Sequence, residues 1–219
     1  MGRGDRTGNR KTREQRLKES AQVPRLGYYL IVTDTQGTER CFFDGLKEEI
    51  PHEMQSRLVI RVLQTKTNEM IDKCMEFMTS EAQYRIPWIV FDRDQVKDFD
   101  EIIRRAESKD IHVGWSNPCF EIWMYAYFGL MPTICQSSNC CAEFGKTYEK
   151  KTGQKYSKTN KHLYRKLCRG GNEENAIEIA SQKYEQCIRE RKTKPSEMCP
   201  CTKVHELVGE IRGKMKRNT

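Results

Sequence analysis

The segment Trp88-Ile89-Val90-Phe91-Asp92-Arg93-Asp94 carries an apolar, β-branched and aromatic run into two aspartates one residue apart. Side chains alternate faces along a strand, so Asp92 and Asp94 point the same way where the strand continues. At the C-terminal lip of a buried strand, such a pair forms an oxygen site for a hard divalent cation. Open α/β sheets hold their ligands at that edge. A strand ending in a plain polar turn uses the same residues, because aspartate is a good turn former. The pair alone does not separate these two readings.

Other acids fall at matching places. Asp34 follows the run Leu26–Val32 almost directly, and Glu39 lies just beyond the polar turn after it. Asn117 follows Ile111–Trp115, and Glu121 comes four residues later. Carboxylates gathered in this way suit phosphodiester chemistry. A phosphate is already negative and repels a nucleophile, whereas Mg²⁺ neutralises it, orients an attacking water and stabilises the leaving oxygen. Asp34, Glu39, Asp92 and Asp94 are enough for one ion, and Glu121 would allow a second if it turns toward the sheet edge. Arg93 sits between the aspartates, where it either pairs with a carboxylate or meets a phosphate. Asn117 either orients substrate or a metal-bound water, or caps a helix ahead of Pro118.

The densest basic stretch holds Lys146, Lys150, Lys151, Lys155, Lys158, Lys161, Arg165 and Lys166, with Tyr148, Tyr156 and Tyr164 interleaved. Rings between lysines suit looped or single-stranded nucleic acid, where bases stack and ammonium groups meet phosphates. A solvated basic helix is the alternative. The cysteines suggest one thiol cluster at Cys135, Cys140 and Cys141 and another at Cys199 and Cys201. Their spacing matches no standard zinc ribbon, so reduced, partly buried thiols are expected. Cys119 reads as structural, and the four histidines are scattered without paired spacing.

These residues need elements to place them. Apolar runs predict strands near 27–33, 58–64, 87–91 and 111–115. Thr38 is the expected N-cap of a helix carrying Phe42, Phe43 and Leu46 at helical spacing. Helices are also expected from about Asn68 to Ser80 and over Phe99–Ala106. Strands alternating with helices of this length argue for βαβ units and a mainly parallel sheet. After Pro118 the pattern changes. Phe120–Leu130 is an apolar helix, and from Glu143 onward only helices and loops are expected. The stretches 176–191 and 202–215 are amphipathic, with more apolar face than capping a small sheet requires. The fold class is therefore α/β, with a helical C-terminal half.

The chain has 219 residues and a net charge of +8, and its simplest partner on charge is a polyanion such as nucleic acid. Residues 1–24 form a basic tail, read as disordered at its start and helical from Thr12 to Ser20. The charged N-terminus carries no secretory signal, and no apolar run approaches the ~20 residues that span a bilayer. A cytoplasmic protein with reduced thiols and no membrane partner is expected.

Several motifs then coincide: Ile31-Val32-Thr33-Asp34 with Thr38-Glu39, Val90-Phe91-Asp92-Arg93-Asp94, and Ser116-Asn117-Pro118-Cys119-Phe120-Glu121-Ile122-Trp123. Tyr127-Phe128-Gly129, Tyr156-Ser157-Lys158 and Cys199-Pro200-Cys201-Thr202-Lys203-Val204-His205-Glu206 complete the series. The chain resembles the RloB-like family over roughly residues 25–215. That family is a branch of the Toprim superfamily found in bacterial phage-defence and restriction loci.

The resemblance implies a Toprim-like α/β domain over 25–130 and a helical extension over 131–219. It implies Mg²⁺ (or Mn²⁺) held by Asp34, Asp92 and Asp94, with Glu39, Asn117 and Glu121 completing the catalytic set. The family's Tyr-x-Lys element matches Tyr156 and Lys158, which adds to the nucleic-acid contacts expected from Arg93, Lys150 and Lys155 on their chemistry. The activity implied is cleavage of RNA, tRNA included, or of DNA, by an antiphage effector. An AAA- or ABC-type ATPase is the implied partner, and a homo-oligomer is left open. One departure matters: the family has Glu-Gly after the first strand, and here the residues are Asp34-Thr35. The shorter carboxylate keeps open a non-catalytic nucleic-acid-binding or regulatory subunit on the same fold.

Overall fold

In the computed structural model, residues 26–34, 37–80, 86–94 and 96–216 are described. The basic tail, with its expected helix from Thr12 to Ser20, lies outside them. The strands are β1 (Gly27–Thr33), β2 (Leu58–Gln64), β3 (Ile86–Asp92), β4 (His112–Asn117) and β5 (Cys201–Thr202). They form one sheet in the order β2-β1-β3-β4-β5. The first four are parallel, and β5 runs antiparallel to β4. The helices are α1 (Thr38–Glu48), α2 (Met70–Ser80), α3 (Phe99–Glu107), α4 (Glu121–Ala126), α5 (Ser137–Thr152), α6 (Leu163–Gly170), α7 (Glu173–Arg189) and α8 (Val204–Lys216). This is the expected α/β, Toprim-like architecture with a helical C-terminal half. No helix among the described residues is long and apolar enough to cross a membrane.

Alternation along the strands sorts the core into two layers. Tyr29, Ile31, Trp88 and Val90 belong to the larger one, with Phe42 and Phe43 of α1 and the residues of α4. Leu30, Val32, Ile89 and Phe91 face the other way, onto Met70, Ile71 and Cys74 of α2 and Phe99, Ile102 and Ile103 of α3. Phe42 is a hub of the first layer. Its ring meets Phe120 edge-on at 5.4 Å and Tyr164 at 5.1 Å. Each such pair adds about 0.5–1.5 kcal/mol beyond area burial. It locks α1 against the segment entering α4 and against α6.

The chain runs outward from β1 to β2, then crosses back over β1 to β3. The switch point therefore lies between β1 and β3. A crevice opens there because the connections leaving the two strands diverge in opposite directions.

Several local expectations are corrected. Gly37, not Thr38, takes the N-cap position of α1, without a side-chain cap bond. The apolar helix after Pro118 is short, because from Tyr127 the backbone N–H groups bond three residues back and Gly129 turns at φ 86. Region 143 onward is not free of strand: Cys201–Thr202 pairs with Ser116 and Asn117. The amphipathic faces of α7 and α8 turn largely into this domain, while Ile188 of α7 stays exposed. Ala176 and Ala180 of α7, with Val204, Leu207, Val208 and Ile211 of α8, are wholly buried in the larger layer. One core thus draws on residues from both sides of position 130.

Candidate functional site

The alternation that makes Trp88 and Val90 face the α1 side carries Asp92 to that side too. Asp34 leaves β1 at the adjacent sheet edge, and Glu39 enters from the first turn of α1. Glu121 comes from the first turn of α4. Asp34, Glu39, Asp92, Asp94 and Glu121 line one cleft of about 520 Å³ with Thr38, Thr67, Val96, Phe120 and Lys158. The expected convergence at the C-terminal edge is present.

The acids sit in unequal surroundings. Glu39 and Glu121 are buried, Asp34 and Asp92 half-buried, and Asp94 exposed. Thr67 Oγ1 donates to Asp34 Oδ2. The Asp94 backbone N–H donates to Pro118 O at 3.2 Å, tying the β3 exit to the segment before α4. Tyr156 Oη donates to Glu121 Oε1 at 2.8 Å, and Lys158 Nζ lies 3.4 Å from the same oxygen. Asp92 Oδ1 is closed off from solvent and has no hydrogen-bond partner among the described residues.

Burial is the first cause of the perturbed ionisation here, ahead of repulsion between carboxylates. It pushes the Glu39 carboxyl up to about 8; its own backbone N–H opposes this, and the charges of Glu121 and Asp34 add to it. Asp92 is held well above the usual carboxylate range by burial, then by Glu39 and Glu121, against the Phe120 backbone N–H and Lys158. Burial works against the Lys158 charge, but the nearby Glu121, Cys141 and Asp92 outweigh it and raise that group.

Asn117 ends β4 at the same edge but does not enter the cleft. Its Nδ2 donates to the carbonyls of Pro195 and Ser196 at 3.1 and 3.2 Å. It lines a neighbouring hollow with Arg93 and Asp94. The capping role does not fit, since α4 has no side-chain cap; the amide nitrogen is committed to the 195–197 turn, and Oδ1 is buried with no hydrogen-bond partner among the described residues. Arg93 is exposed in that hollow, which shares Asp94 with the carboxyl cleft, and does not line the cleft itself.

The basic stretch divides. Lys150, Lys155 and Lys158 are exposed. Tyr148 and Tyr164 are wholly buried, so they cannot stack on bases. The Tyr156 ring packs edge-on against Phe144 at 4.9 Å, and its hydroxyl points into the acidic cleft. Spacing along a basic helix does not show how far each ring lies from the core, so buried and available rings read alike.

The thiols regroup as well. Cys135 and Cys199 are joined as a disulfide with Cα atoms 5.7 Å apart, contrary to the expectation of reduced thiols throughout. Cys141 meets Cys119 at 3.9 Å, and Cys119, Cys141 and Glu121 present ligand atoms all within 4.8 Å of one another. Grouping cysteines by distance along the chain misses this. The available signal is Cys119-x-Glu121, a thiol two residues from an acid entering one helix. Thr67, which holds Asp34, carries no recognisable pattern.

A family model described as RloB-like protein matches residues 29–211, and the chain belongs to that family. No curated protein and no solved structure gives a significant match.

Proposed function

We propose that this RloB-like chain is a Mg²⁺-dependent nuclease of the Toprim type, hydrolysing phosphodiester bonds in RNA, tRNA included, or in DNA. One observation carries the reading. Five carboxyl groups line a single cleft at the switch point of a parallel sheet, and one buried oxygen among them, Asp92 Oδ1, has no hydrogen-bond partner among the described residues. The donor set fits a hard cation, being all oxygen and acidic. Asp34, Asp92 and Asp94 would hold the ion, and Mn²⁺ would serve as well. When bound, it supplies charge neutralisation at the phosphate and a more acidic water.

The chain's own groups do the rest. Glu39, whose carboxyl burial pushes up to about 8 without metal, would accept the proton of an attacking water once the cation's charge has brought it into the ionised form. Lys158 stands at the cleft as the cation that meets a phosphate oxygen. Tyr156 keeps Glu121 turned inward. Lys150 and Lys155, exposed on and after α5, extend the positive surface that follows the backbone of a nucleic acid. The same proposal includes an antiphage effector role under an ATPase partner, which rests on family resemblance.

A second reading has a specific observation behind it. Asp34 stands where the family has glutamate, and Thr67 already bonds one of its oxygens. A non-catalytic nucleic-acid-binding or regulatory subunit would tolerate that. Purified full-length protein incubated with RNA and DNA panels and Mg²⁺ or Mn²⁺ separates the two. Cleavage that disappears in Asp92→Asn and Asp94→Asn supports the nuclease. Cleavage that persists in the double variant, or binding without cleavage under every condition, overturns it.

A further inference from the structure

We propose that Cys119, Cys141 and Glu121 form a Zn²⁺ site beside the acidic cleft. Nothing in the nuclease reading requires it. A tetrahedral Zn²⁺ with Zn–S bonds of about 2.3 Å sets its two sulfurs about 3.8 Å apart, and a carboxylate oxygen about 3.6 Å from each. The Cys119 and Cys141 sulfurs are 3.9 Å apart. The Glu121 carboxylate completes a triangle whose atoms all lie within 4.8 Å.

The chain assembles this triangle from two elements. Cys119 and Glu121 flank Phe120 at the entrance to α4, and Cys141 faces them from the first turns of α5. Cys119 Sγ meets Cys141 Sγ and the Ser137 carbonyl, each at 3.9 Å, and both are weak contacts for a buried thiol. The surroundings suit an ion. Tyr156 and Lys158 orient Glu121 through Oε1, the kind of outer support that ligating carboxylates receive. Two thiolates and a carboxylate around a dication leave one net negative charge, which Lys158 offsets at 3.4 Å.

Thiolate ligands select Zn²⁺ over Mg²⁺, so the two sites need not compete for one metal. Glu121 lines the acidic cleft, so a water in that cleft is the candidate fourth ligand. Binding releases the thiol protons to solvent as the two Zn–S bonds form. Cys140 neighbours Cys119 but is outside the set of ligand atoms that all lie within 4.8 Å of one another, so it is not assigned as a ligand.

Full-length protein is reduced, stripped with chelator and titrated with Co²⁺ as a spectroscopic stand-in for Zn²⁺. The expected result is a sulfur-to-cobalt charge-transfer band with tetrahedral visible bands at one ion per chain, displaced by Zn²⁺. The band is lost in Cys119→Ser and in Cys141→Ser. It persists in Cys140→Ser, in the Cys135→Ser/Cys199→Ser double variant and in Asp92→Asn/Asp94→Asn. That last variant separates this site from the nuclease site. Should Cys119→Ser not fold, the half-buried Cys141 decides alone. Absence of the band in wild-type protein that is folded by circular dichroism overturns the proposal. So does a band that survives Cys141→Ser or depends on Cys135 and Cys199.

Discussion

Tyr156 reaches across 35 positions of sequence to donate a 2.8 Å hydrogen bond to Glu121, so the loop after α5 sets the inward turn of an acid on α4. The phenol ring is anchored by Phe144 and Tyr148, at 4.9 and 5.5 Å. Tyr156→Phe should therefore keep the packing and lose only the donor. The expected cost is about 1–2 kcal/mol of stability in urea titrations. Metal affinity should weaken at the same time, because Glu121 is then held by Lys158 alone. Unchanged metal affinity would show that Glu121 needs no such positioning.

The Glu39 carboxyl, pushed up to about 8 by burial, makes the metal-free protein pH-sensitive. Between the unfolded value near 4.5 and the folded value near 8, the folded state binds more proton than the unfolded one. Stability from this group is present in full below the lower value and declines as pH rises through the window. Asp92, also raised, adds a contribution of the same sign. Thermal melts of chelated protein should fall from pH 5 to about 8. Glu39→Gln should reduce that slope, and saturating Mg²⁺ should oppose it by favouring the ionised carboxylates. A melting temperature that rises over this range would contradict the assignment.

Lys158 and Lys150 should behave differently as nucleic-acid contacts. Lys158 lies in the cleft beside Glu121, so Lys158→Met should reduce cleavage by about tenfold or more, as the loss of one charge-assisted contact would. Lys150 is exposed on α5, and Lys150→Met should leave turnover intact. If Lys150 meets a phosphate, its loss should lower the salt dependence of binding by about 0.7–0.9 in log–log slope. Equal effects of the two variants on turnover would remove Lys158 from the site.

Gly45 sets how closely α1 approaches α6. A Cβ there would stand 2.7 Å from Tyr164 Cβ, closer than side-chain carbons pack. Gly45→Ala should cost about 1–3 kcal/mol by overpacking. Because α1 carries Glu39, the displaced helix should also shift the acid that titrates near 8. Chemical denaturation measures the first effect, and the pH profile of metal binding measures the second. An alanine variant as stable as wild type would mean that the two helices separate without penalty.

Short-range stereochemistry is legible in the chain alone. Runs such as Tyr28–Val32 and Trp88–Phe91 read as buried strands, and period-two alternation then sets the face toward which Asp92 projects. The alternation of strands and helices is enough to place Asp34, Asp92 and Asn117 at one sheet edge.

Closures between distant segments leave no period in the chain, and folding in three dimensions settles them. The Asn117 amide nitrogen is taken by the 195–197 turn, Phe42 of α1 packs on Tyr164, and Phe128 and Phe144 pack on Tyr148, rings that local spacing leaves available. Most of the apolar face of α7 and of α8 joins the larger core layer, while Ile188 stays exposed. Cys141 is a neighbour of Cys119 and Glu121 only because α5 folds back beside the entrance to α4. Local spacing reports which way a side chain leaves its own element, but its partner is set by which other element the core brings against it.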